Sequence, residues 1–217
     1  MTSQTDLAAL LCSRLCHDML SPVGALSNGL ELLAEETDPE MRANVVELLE
    51  QSAKISTDKL RFFRLAFGAA GGFGEAVPVE EAQEVVNALA SDAKGVELKW
   101  AFQSSSLPKP AVKVMLNLAQ IALDALVRGG TLDIGAELRD GNVEIVARAA
   151  AQKLAFDETI GRALHGELTH EDVSSRTAAA HMIALLAQEM GGGLQYQLSD
   201  DALVLGAVLP QPEGMIG

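Results

Sequence analysis

One short stretch of the sequence places an imidazole, a carboxylate and a hydroxyl within five residues. His17, Asp18 and Ser21 stand in the run Arg-Leu-Cys-His-Asp-Met-Leu-Ser-Pro, which ends at Pro22. A histidine side chain is largely neutral at cellular pH, so one ring nitrogen is free to attack an electrophile. We therefore take His17 as the candidate nucleophile. Asp18 and Ser21 are the candidates for orienting it or for hydrogen bonding to its target.

The residues around His17 have the periodicity of a long helix. Apolar residues recur at steps of three and four and gather on one face, which we predict to be buried. They are Leu7, Leu11, Leu15, Met19, Val23, Leu26, Leu30 and Leu33. His17 falls roughly opposite this stripe, so it should point into solvent. The exposed face around it carries small or apolar residues, namely Ser13, Leu20, Gly24, Ser27 and Asn28.

Turn and cap signals predict that this helix is the first arm of a hairpin. It should begin between residues 3 and 6 and end near Glu36, with a bend rather than a stop at Pro22. Asp38 and Pro39 are suited to the N-cap and first position of a second helix over residues 39–67. The second helix has more apolar surface than one neighbour can cover. We therefore predict a homodimer in which two hairpins form a four-helix bundle.

A glycine-rich run at residues 68–74 predicts a linker. No Lys-Ser/Thr pair follows it, as a phosphate-binding loop would require. We therefore expect a dimerising helical hairpin over residues 1–70 and a second domain over residues 75–217. That second part alternates predicted strands (76–79, 96–103, 131–138, 143–148, 194–198, 203–209) with predicted helices (80–92, 111–127, 156–164, 174–190). This order predicts an α+β fold, with helices covering one face of a mixed sheet.

The composition excludes several classes of partner. The chain has 217 residues, 16 Lys and Arg, and a formal net charge of −14. Nucleic acids and anionic membranes require clustered basic residues, which are absent here. No apolar segment of about 20 residues is present that could span a bilayer. We expect a cytoplasmic protein whose partners are proteins.

The remaining candidate ligands do not form a metal motif. Cys12 and Cys16 lie one helical turn apart beside the apolar stripe, where we expect two small, mostly buried thiols. His165, His170 and His181 have no cysteine or acidic residues at metal-binding spacing, so each is expected to be structural or solvated.

The run from His17 to Pro22 resembles the H-box of histidine kinases. That motif has a histidine, an acidic residue, two further residues, Ser or Thr, and proline, and it lies on the first helix of a dimeric hairpin. In those kinases the hairpin is followed by an ATP-binding α/β sandwich. The order of elements after residue 74 is similar to that domain over nearly its whole length.

Three motifs of the ATP-binding domain are altered. Residues 117–122 read Asn-Leu-Ala-Gln-Ile-Ala, so Ile121 stands where the kinase N-box has an asparagine that holds Mg²⁺. Isoleucine has no oxygen donor for that ion. Residues 146–150 read Val-Ala-Arg-Ala-Ala in place of an Asp-x-Gly-x-Gly turn, and residues 173–177 lack the glycines of the nucleotide lid. A working nucleotide site is therefore not expected.

A kinase-like hairpin joined to a degenerate ATP-binding domain resembles the ChpT-type histidine phosphotransferases. The resemblance implies that His17 accepts the phosphoryl group, with Asp18 as its acidic neighbour and Ser21 as the H-box hydroxyl. It implies no cofactor on this chain, with Mg²⁺ supplied by the partner receiver domain. The implied partners are a CckA-like hybrid kinase receiver and CtrA-like and CpdR-like response regulators, in a cell-cycle phosphorelay.

The sequence allows two alternative roles for several of these residues. Asp18 could orient His17 or be a solvated surface residue, and Ser21 could bind the phosphoryl group or compensate for the Pro22 bend. Arg14, Arg61 and Arg64 could contact the receiver or form part of a solvated face. Two other functions also remain open: an ATP-dependent histidine kinase with divergent motifs, and a non-catalytic scaffold that binds receivers.

Overall fold

The computed structural model describes residues 3–68, 76–93 and 95–211. Two long helices come first, α1 (Gln4–Glu35) and α2 (Pro39–Phe67). The helices that follow are α3 (Val79–Asp92), α4 (Lys109–Ala125), α5 (Glu158–Leu164) and α6 (Ala178–Glu189), with a 3₁₀ turn at His170–Asp172. The strands are β1 (Ala76–Pro78), β2 (Val96–Phe102), β3 (Ser106–Pro108), β4 (Gly130–Arg139), β5 (Asn142–Ala150), β6 (Gly193–Leu198) and β7 (Ala202–Pro210).

The helical hairpin begins and turns at the predicted capping residues. The Ser3 hydroxyl accepts a hydrogen bond from the Asp6 N–H at 3.0 Å. The Asp38 carboxylate accepts from the N–H groups of residues 40 and 41, which opens α2. Arg42 donates to the carbonyls of Leu33 and Glu36 at 2.7 Å, and so satisfies the end of α1. The predicted hairpin is confirmed, and α1 continues through Pro22 without a stop.

The apolar stripe of α1 is only partly covered within one chain. Val23 and Leu30 are exposed, and the other stripe residues are half-buried. The fully buried residues of α1 are instead Pro22 and Gly29. A Cβ on Gly29 would lie 2.8 Å from Leu49 Cδ2, so the absence of a side chain there lets α2 approach closely. Within one chain the stripe is therefore only partly buried, because a single neighbouring helix covers a narrow face.

The expectation that the two cysteine thiols are mostly buried was also wrong for the single chain. Cys12 and Cys16 are both exposed, not mostly buried. They lie beside the half-buried stripe, where α1 has few neighbours to cover them.

The strands form a five-stranded mixed sheet with the order β2-β4-β5-β7-β6. β2 is parallel to β4, whereas the other neighbours are antiparallel. β4 and β5 are joined at Asp140 and Gly141, whose positive φ angles of 50° and 76° suit a two-residue hairpin turn. A second, two-stranded sheet pairs β1 with β3.

Burial alternates along the strands as it does when one face of a sheet is packed. On β4 and β5 the buried positions include Leu132, Ile134, Ile145 and Ala147, whereas Glu144 and Arg148 face away from the core. Helices α3, α4 and α6 supply the buried side chains on the other side of this core. The predicted arrangement of helices over one face of a mixed sheet is therefore confirmed.

Two details differ from the predictions, and a third is not tested. Helix α6 begins at Ala178 and not at residue 174, because the Thr177 hydroxyl accepts a hydrogen bond from the Ser174 N–H at 3.0 Å and stabilises a turn instead. Strand β3 was not predicted, and α4 begins at Lys109, two residues before the predicted start at residue 111. Most of the predicted linker, residues 69–74, lies outside the described residues, so the exact domain boundary stays a prediction.

The end of α2 belongs to the core of the α/β part of the chain. Phe62, Phe63 and Ala66 are buried in the same hydrophobic cluster as residues of α3 and α4. The rings of Phe63 and Phe67 also stack, with their centroids 5.7 Å apart. Burial of these aromatic side chains holds the α/β part against the C-terminal half of α2.

Replacing Phe62 by alanine should therefore loosen this junction. Phe62 is 1% exposed, and truncating a buried phenylalanine lowers the free energy of unfolding by about 3–5 kcal/mol. Urea denaturation followed by circular dichroism measures this. The control is Leu138→Ala at an exposed position, where we expect a loss of at most about 0.5 kcal/mol. Equal losses for the two variants would contradict the assignment of Phe62 to the junction.

Candidate functional site

His17 points into solvent from α1, as predicted. Its side chain is 86% exposed, and its Nδ1 lies 3.2 Å from Asp18 Oδ1. An ionised carboxylate can only accept a hydrogen bond, so in the neutral imidazole Nδ1 carries the hydrogen and donates it. The Nε2 lone pair is then free for attack. Asp18 therefore contacts His17 although the two residues are about 100° apart around the helix.

Pro22 explains how Asp18 is tied to the second helix. In an α-helix the carbonyl of residue 18 would accept from the N–H of residue 22, but proline has none. Lys59 of α2 supplies the missing donor, with its Nζ 3.0 Å from the Asp18 carbonyl oxygen. This hydrogen bond joins the two helices of the hairpin beside His17.

Arg14, one turn before His17, faces the α/β part and not a docking partner. Its side chain is 15% exposed, with Nε 3.7 Å from Asp18 Oδ2 and Nη2 3.5 Å from Asp124 Oδ2. Its Nη1 also donates to the Arg176 carbonyl at 3.1 Å. The prediction of a receiver-contacting or solvated arginine is corrected, because α4 and the turn before α6 pack over this side of α1.

These charged residues line a cleft of about 460 Å³ between the hairpin and the α/β part. The lining includes Arg14, Asp18, Lys59, Asp92 and Asp124. Desolvation raises the pKa of Asp124 to about 6, an effect that Arg14 opposes and Asp18 reinforces. The Asp124 side chain is still 60% exposed through the mouth of the cleft, so water screens part of this effect.

The other predicted site residues lie on the surface near His17 or on the facing helix. On α1, Ser13, Ser21, Ser27 and Asn28 are exposed, as is Leu20 at 69%. Gly24 is half-buried, but no atom lies within 4 Å of the position that a Cβ would occupy. On α2, Arg61 and Arg64 are exposed. They follow Lys59, which contacts Asp18, so they lie near the same end of the hairpin, as predicted.

The sequence analysis missed Lys59 and Asp124. Pro22 does indicate that a residue such as Lys59 is needed, because proline has no N–H and the carbonyl of Asp18 therefore requires another donor. The sequence does not say which residue supplies that donor. Asp124 has no comparable signal, because its contact with Arg14 spans 110 positions of the chain.

The positions on α4 that resemble the kinase N-box are buried. On α4, Asn117 and Ile121 are 1% and 7% exposed. Asn117 donates to the Lys113 carbonyl of its own helix at 2.8 Å. Residues 178–181 at the start of α6 are also buried. These two helices pack against each other in the core.

Two of the remaining histidines, His165 and His181, pack against other residues of the chain. His165 Nδ1 lies 3.6 Å from Glu167 Oε1, and its ring contacts that of Tyr196 in a tilted arrangement, with the ring centroids 5.0 Å apart. His181 is buried, and desolvation lowers its pKa. Within the described ranges, no group of three or more His, Cys, Asp or Glu side chains is arranged to hold a metal ion. Across the same part of the chain, no helix is both long and apolar enough to cross a membrane.

Comparison with known proteins places this site in a family. The family model described as the histidine phosphotransferase C-terminal domain matches residues 79–202. The chain is also 34% identical over 205 residues to the protein phosphotransferase ChpT of Brucella abortus (strain 2308), covering 94% of this chain and 96% of that protein. This chain belongs to the histidine phosphotransferase family.

A solved structure agrees with this assignment. A bacterial phosphotransferase superposes with a TM-score of 0.82 at 33% identity, covering 95% of this chain and 98% of its own. The histidine kinase AdeS of Acinetobacter baumannii matches more distantly, with a TM-score of 0.48 at 14% identity over 91% of this chain and 98% of its own. The resemblance to ChpT-type phosphotransferases is thus confirmed, as is an α+β fold that begins with a long helical hairpin.

The raised pKa of Asp124 predicts a pH dependence of stability. Between its ordinary pKa of 3.8 and its folded-state pKa of about 6, Asp124 binds more protons in the folded protein than in the unfolded chain. Stability from this group therefore falls as the pH rises through that window. Asp124→Asn removes the titration, so the variant should lose less stability than the wild type over this window, by at most about 1 kcal/mol after screening.

Urea denaturation at several pH values tests this expectation. Asp140→Asn is the control, since the Asp140 side chain is 92% exposed on a turn. The control should follow the wild-type pH profile. A profile for Asp124→Asn that parallels the wild type would contradict the effect of desolvation in the cleft.

Proposed function

We propose that this chain passes phosphoryl groups between aspartates of receiver domains through His17. Membership of the histidine phosphotransferase family supports phosphotransfer in a two-component phosphorelay. The observation that carries the assignment to His17 is its geometry. The side chain is 86% exposed, and Asp18 accepts from its Nδ1, which leaves the lone pair of Nε2 free on an exposed ring.

The transfer step requires little covalent chemistry from the protein. Nε2 attacks the phosphorus of an aspartyl phosphate, the N–P bond forms, and the P–O bond to the aspartate breaks. The receiver carboxylate leaves as the anion, while Nδ1 keeps its hydrogen and its bond to Asp18. Catalysis then depends on positioning and charge neutralisation. The reverse step delivers the phosphoryl group to the next receiver.

This scheme needs no ATP, and two residues of α4 argue against an ATP-binding site. Ile121 cannot ligate Mg²⁺, and Asn117 is buried and bonded within its own helix. The Mg²⁺ ion would come with the receiver domain. We therefore assign this chain no cofactor and no kinase activity.

The surface around His17 is suited to a receiver domain. Leu20 is exposed one turn from His17, next to the small residues Ser13, Ser21 and Gly24. An exposed leucine surrounded by small residues can enter a groove on a partner helix or loop. Arg61 and Arg64 on α2 would contribute charge at the edge of this surface. By resemblance, the donor is a CckA-like receiver and the acceptors are CtrA-like and CpdR-like regulators.

The hairpin also carries an apolar surface that supports a homodimer. Large apolar side chains are exposed on both helices, and pairs of them are seven residues apart, which places each pair on one helix face. They include Val23 and Leu30 on α1 and Met41 and Leu48 on α2. A second hairpin would cover these residues and complete a four-helix bundle.

Labelling from a phosphorylated receiver tests the role of His17. A receiver carrying a radioactive phosphoryl group on its aspartate should transfer it to the wild-type chain and to His165→Gln, but not to His17→Gln. His165 is the matched control, because it is also accessible but lies on the α/β part. Label on the His17→Gln chain would refute the assignment.

Two further outcomes of this experiment would support the other functions. Label transferred directly from ATP to His17 in the absence of a receiver would support a histidine kinase. Tight receiver binding that does not depend on phosphorylation, without label on the chain, would support a scaffold.

Leu48→Glu should weaken the proposed dimer. Burying an uncompensated carboxylate against apolar side chains should cost at least about 2 kcal/mol of association free energy. Sedimentation equilibrium measures the shift towards monomer. Leu138→Glu is the control, since its parent residue is equally exposed, at 43% compared with 45%, but lies on β4. If both variants associate like the wild type, Leu48 is not in the interface.

A further inference from the structure

We infer that Arg14 is a positioning residue for His17, which connects the Asp18 carboxylate to the α/β part of the chain. The α/β part would then contribute to phosphotransfer without binding a nucleotide. This inference rests on the proposed function and adds a role for residues outside the H-box. It follows from the contacts, burial and charge of Arg14.

A continuous path of contacts runs from His17 to α4. Asp18 uses both carboxylate oxygens, with Oδ1 3.2 Å from His17 Nδ1 and Oδ2 3.7 Å from Arg14 Nε. Arg14 Nη2 continues the path to Asp124 Oδ2 at 3.5 Å. Because the carboxylate is attracted on both sides, its plane and its direction towards the imidazole are restricted. The hydrogen bond that leaves Nε2 free therefore depends on Arg14.

The guanidinium reaches three separate elements at once. Besides Asp18 on α1 and Asp124 on α4, it donates through Nη1 to the Arg176 carbonyl at 3.1 Å. Arg176 lies in the turn before α6, and its own side chain is held 3.3 Å from Asp157. A planar group with five N–H donors can span these acceptors, whereas a lysine ammonium cannot reach them in the same geometry.

Burial and charge both indicate that Arg14 acts within the chain. Its Nε is buried and has no hydrogen-bond partner in the described part of the chain. An unpaired buried donor is costly, and attraction to Asp18 at ion-pair distance offsets that cost. Without Arg14, the carboxylates of Asp18 and Asp124 would face the same cleft, with Lys59 as the remaining cation of its lining. Asp18 would then turn towards water and away from His17.

The elements that hold Arg14 stand where the kinase resemblance would place nucleotide-binding parts. The turn at residues 174–177 corresponds to the lid, and α4 carries the altered N-box. These elements now contact the helix that bears His17. This gives the α/β part a role in the phosphotransfer site that does not require ATP.

The test compares Arg14→Gln, Arg14→Lys, Asp124→Asn and the Arg14→Gln/Asp124→Asn double variant in the full-length chain. Arg148→Gln is the matched control, since it breaks another arginine–aspartate pair, with Asp133 at 3.0 Å on the outer face of the sheet. Two quantities are measured for each variant. One is transfer from a phosphorylated receiver to His17, resolved into its maximal rate and half-saturating receiver concentration. The other is the ring tautomer of His17, from its ¹⁵N resonances.

We expect Arg14→Gln to lower the maximal rate about tenfold and Asp124→Asn about threefold, within the usual range for residues coupled through direct contacts. The double variant should be no slower than Arg14→Gln alone, because both changes interrupt one path. In both single variants the ¹⁵N resonances should shift away from the Nδ1–H tautomer. Arg14→Lys should restore only part of the rate, and Arg148→Gln should match the wild type.

Other results would overturn the inference. Wild-type tautomer and maximal rate in Arg14→Gln would do so, as would a change confined to the half-saturating concentration, which indicates a docking role. If Arg14→Gln fails to fold by circular dichroism, Asp124→Asn decides by the same criteria. Absence of label on the wild type would refute the proposed function instead, and the tautomer comparison would still test the role of Arg14.

Discussion

A proline inside a helix sets the constraint on which this site depends. Pro22 cannot donate to the carbonyl of Asp18, and Lys59 from the second helix supplies the donor at 3.0 Å. The hairpin is thereby joined at the residue next to the proposed phosphoacceptor. Successive helical residues are about 100° apart, so Asp18 can face the junction while His17 faces solvent. The H-box spacing thus serves two needs, an accessible nucleophile and a fixed neighbour.

The charge distribution in the cleft follows from the different orientations of His17, which faces solvent, and Asp18, which faces the junction. Asp18 meets His17 with one carboxylate oxygen and approaches Arg14 with the other. Arg14 in turn lies between Asp18 and Asp124, whose pKa is raised by desolvation. The charges are concentrated behind the histidine, whereas its outer surface is small or apolar. A partner with a phosphoryl group can therefore approach His17 without meeting these carboxylates directly.

In the α/β part, the positions on α4 that resemble the kinase N-box are used for packing in the core. Asn117 and Ile121 are buried on α4, and the Thr177 hydroxyl stabilises a turn where a longer helix was expected. Phe62 and Phe63 join α2 to the same core. The cohesion of this junction comes mainly from apolar burial, with Arg14 and Lys59 adding directional contacts at its edge. In this arrangement the α/β domain packs against the hairpin that bears His17.

The sequence alone determined the local structure. Capping residues at Ser3 and Asp38 set the helix starts, the 3.6-residue period predicted the exposure of His17, and alternation along the strands predicted a sheet with one covered face. These features depend on neighbours a few residues away. Tertiary structure alone decided that Arg14 faces inward, that Lys59 replaces the missing donor and that Asp124 joins the site, because these contacts link residues far apart in the chain. It also left Val23 and Leu30 uncovered within one chain, since periodicity identifies an apolar face but not what packs against it.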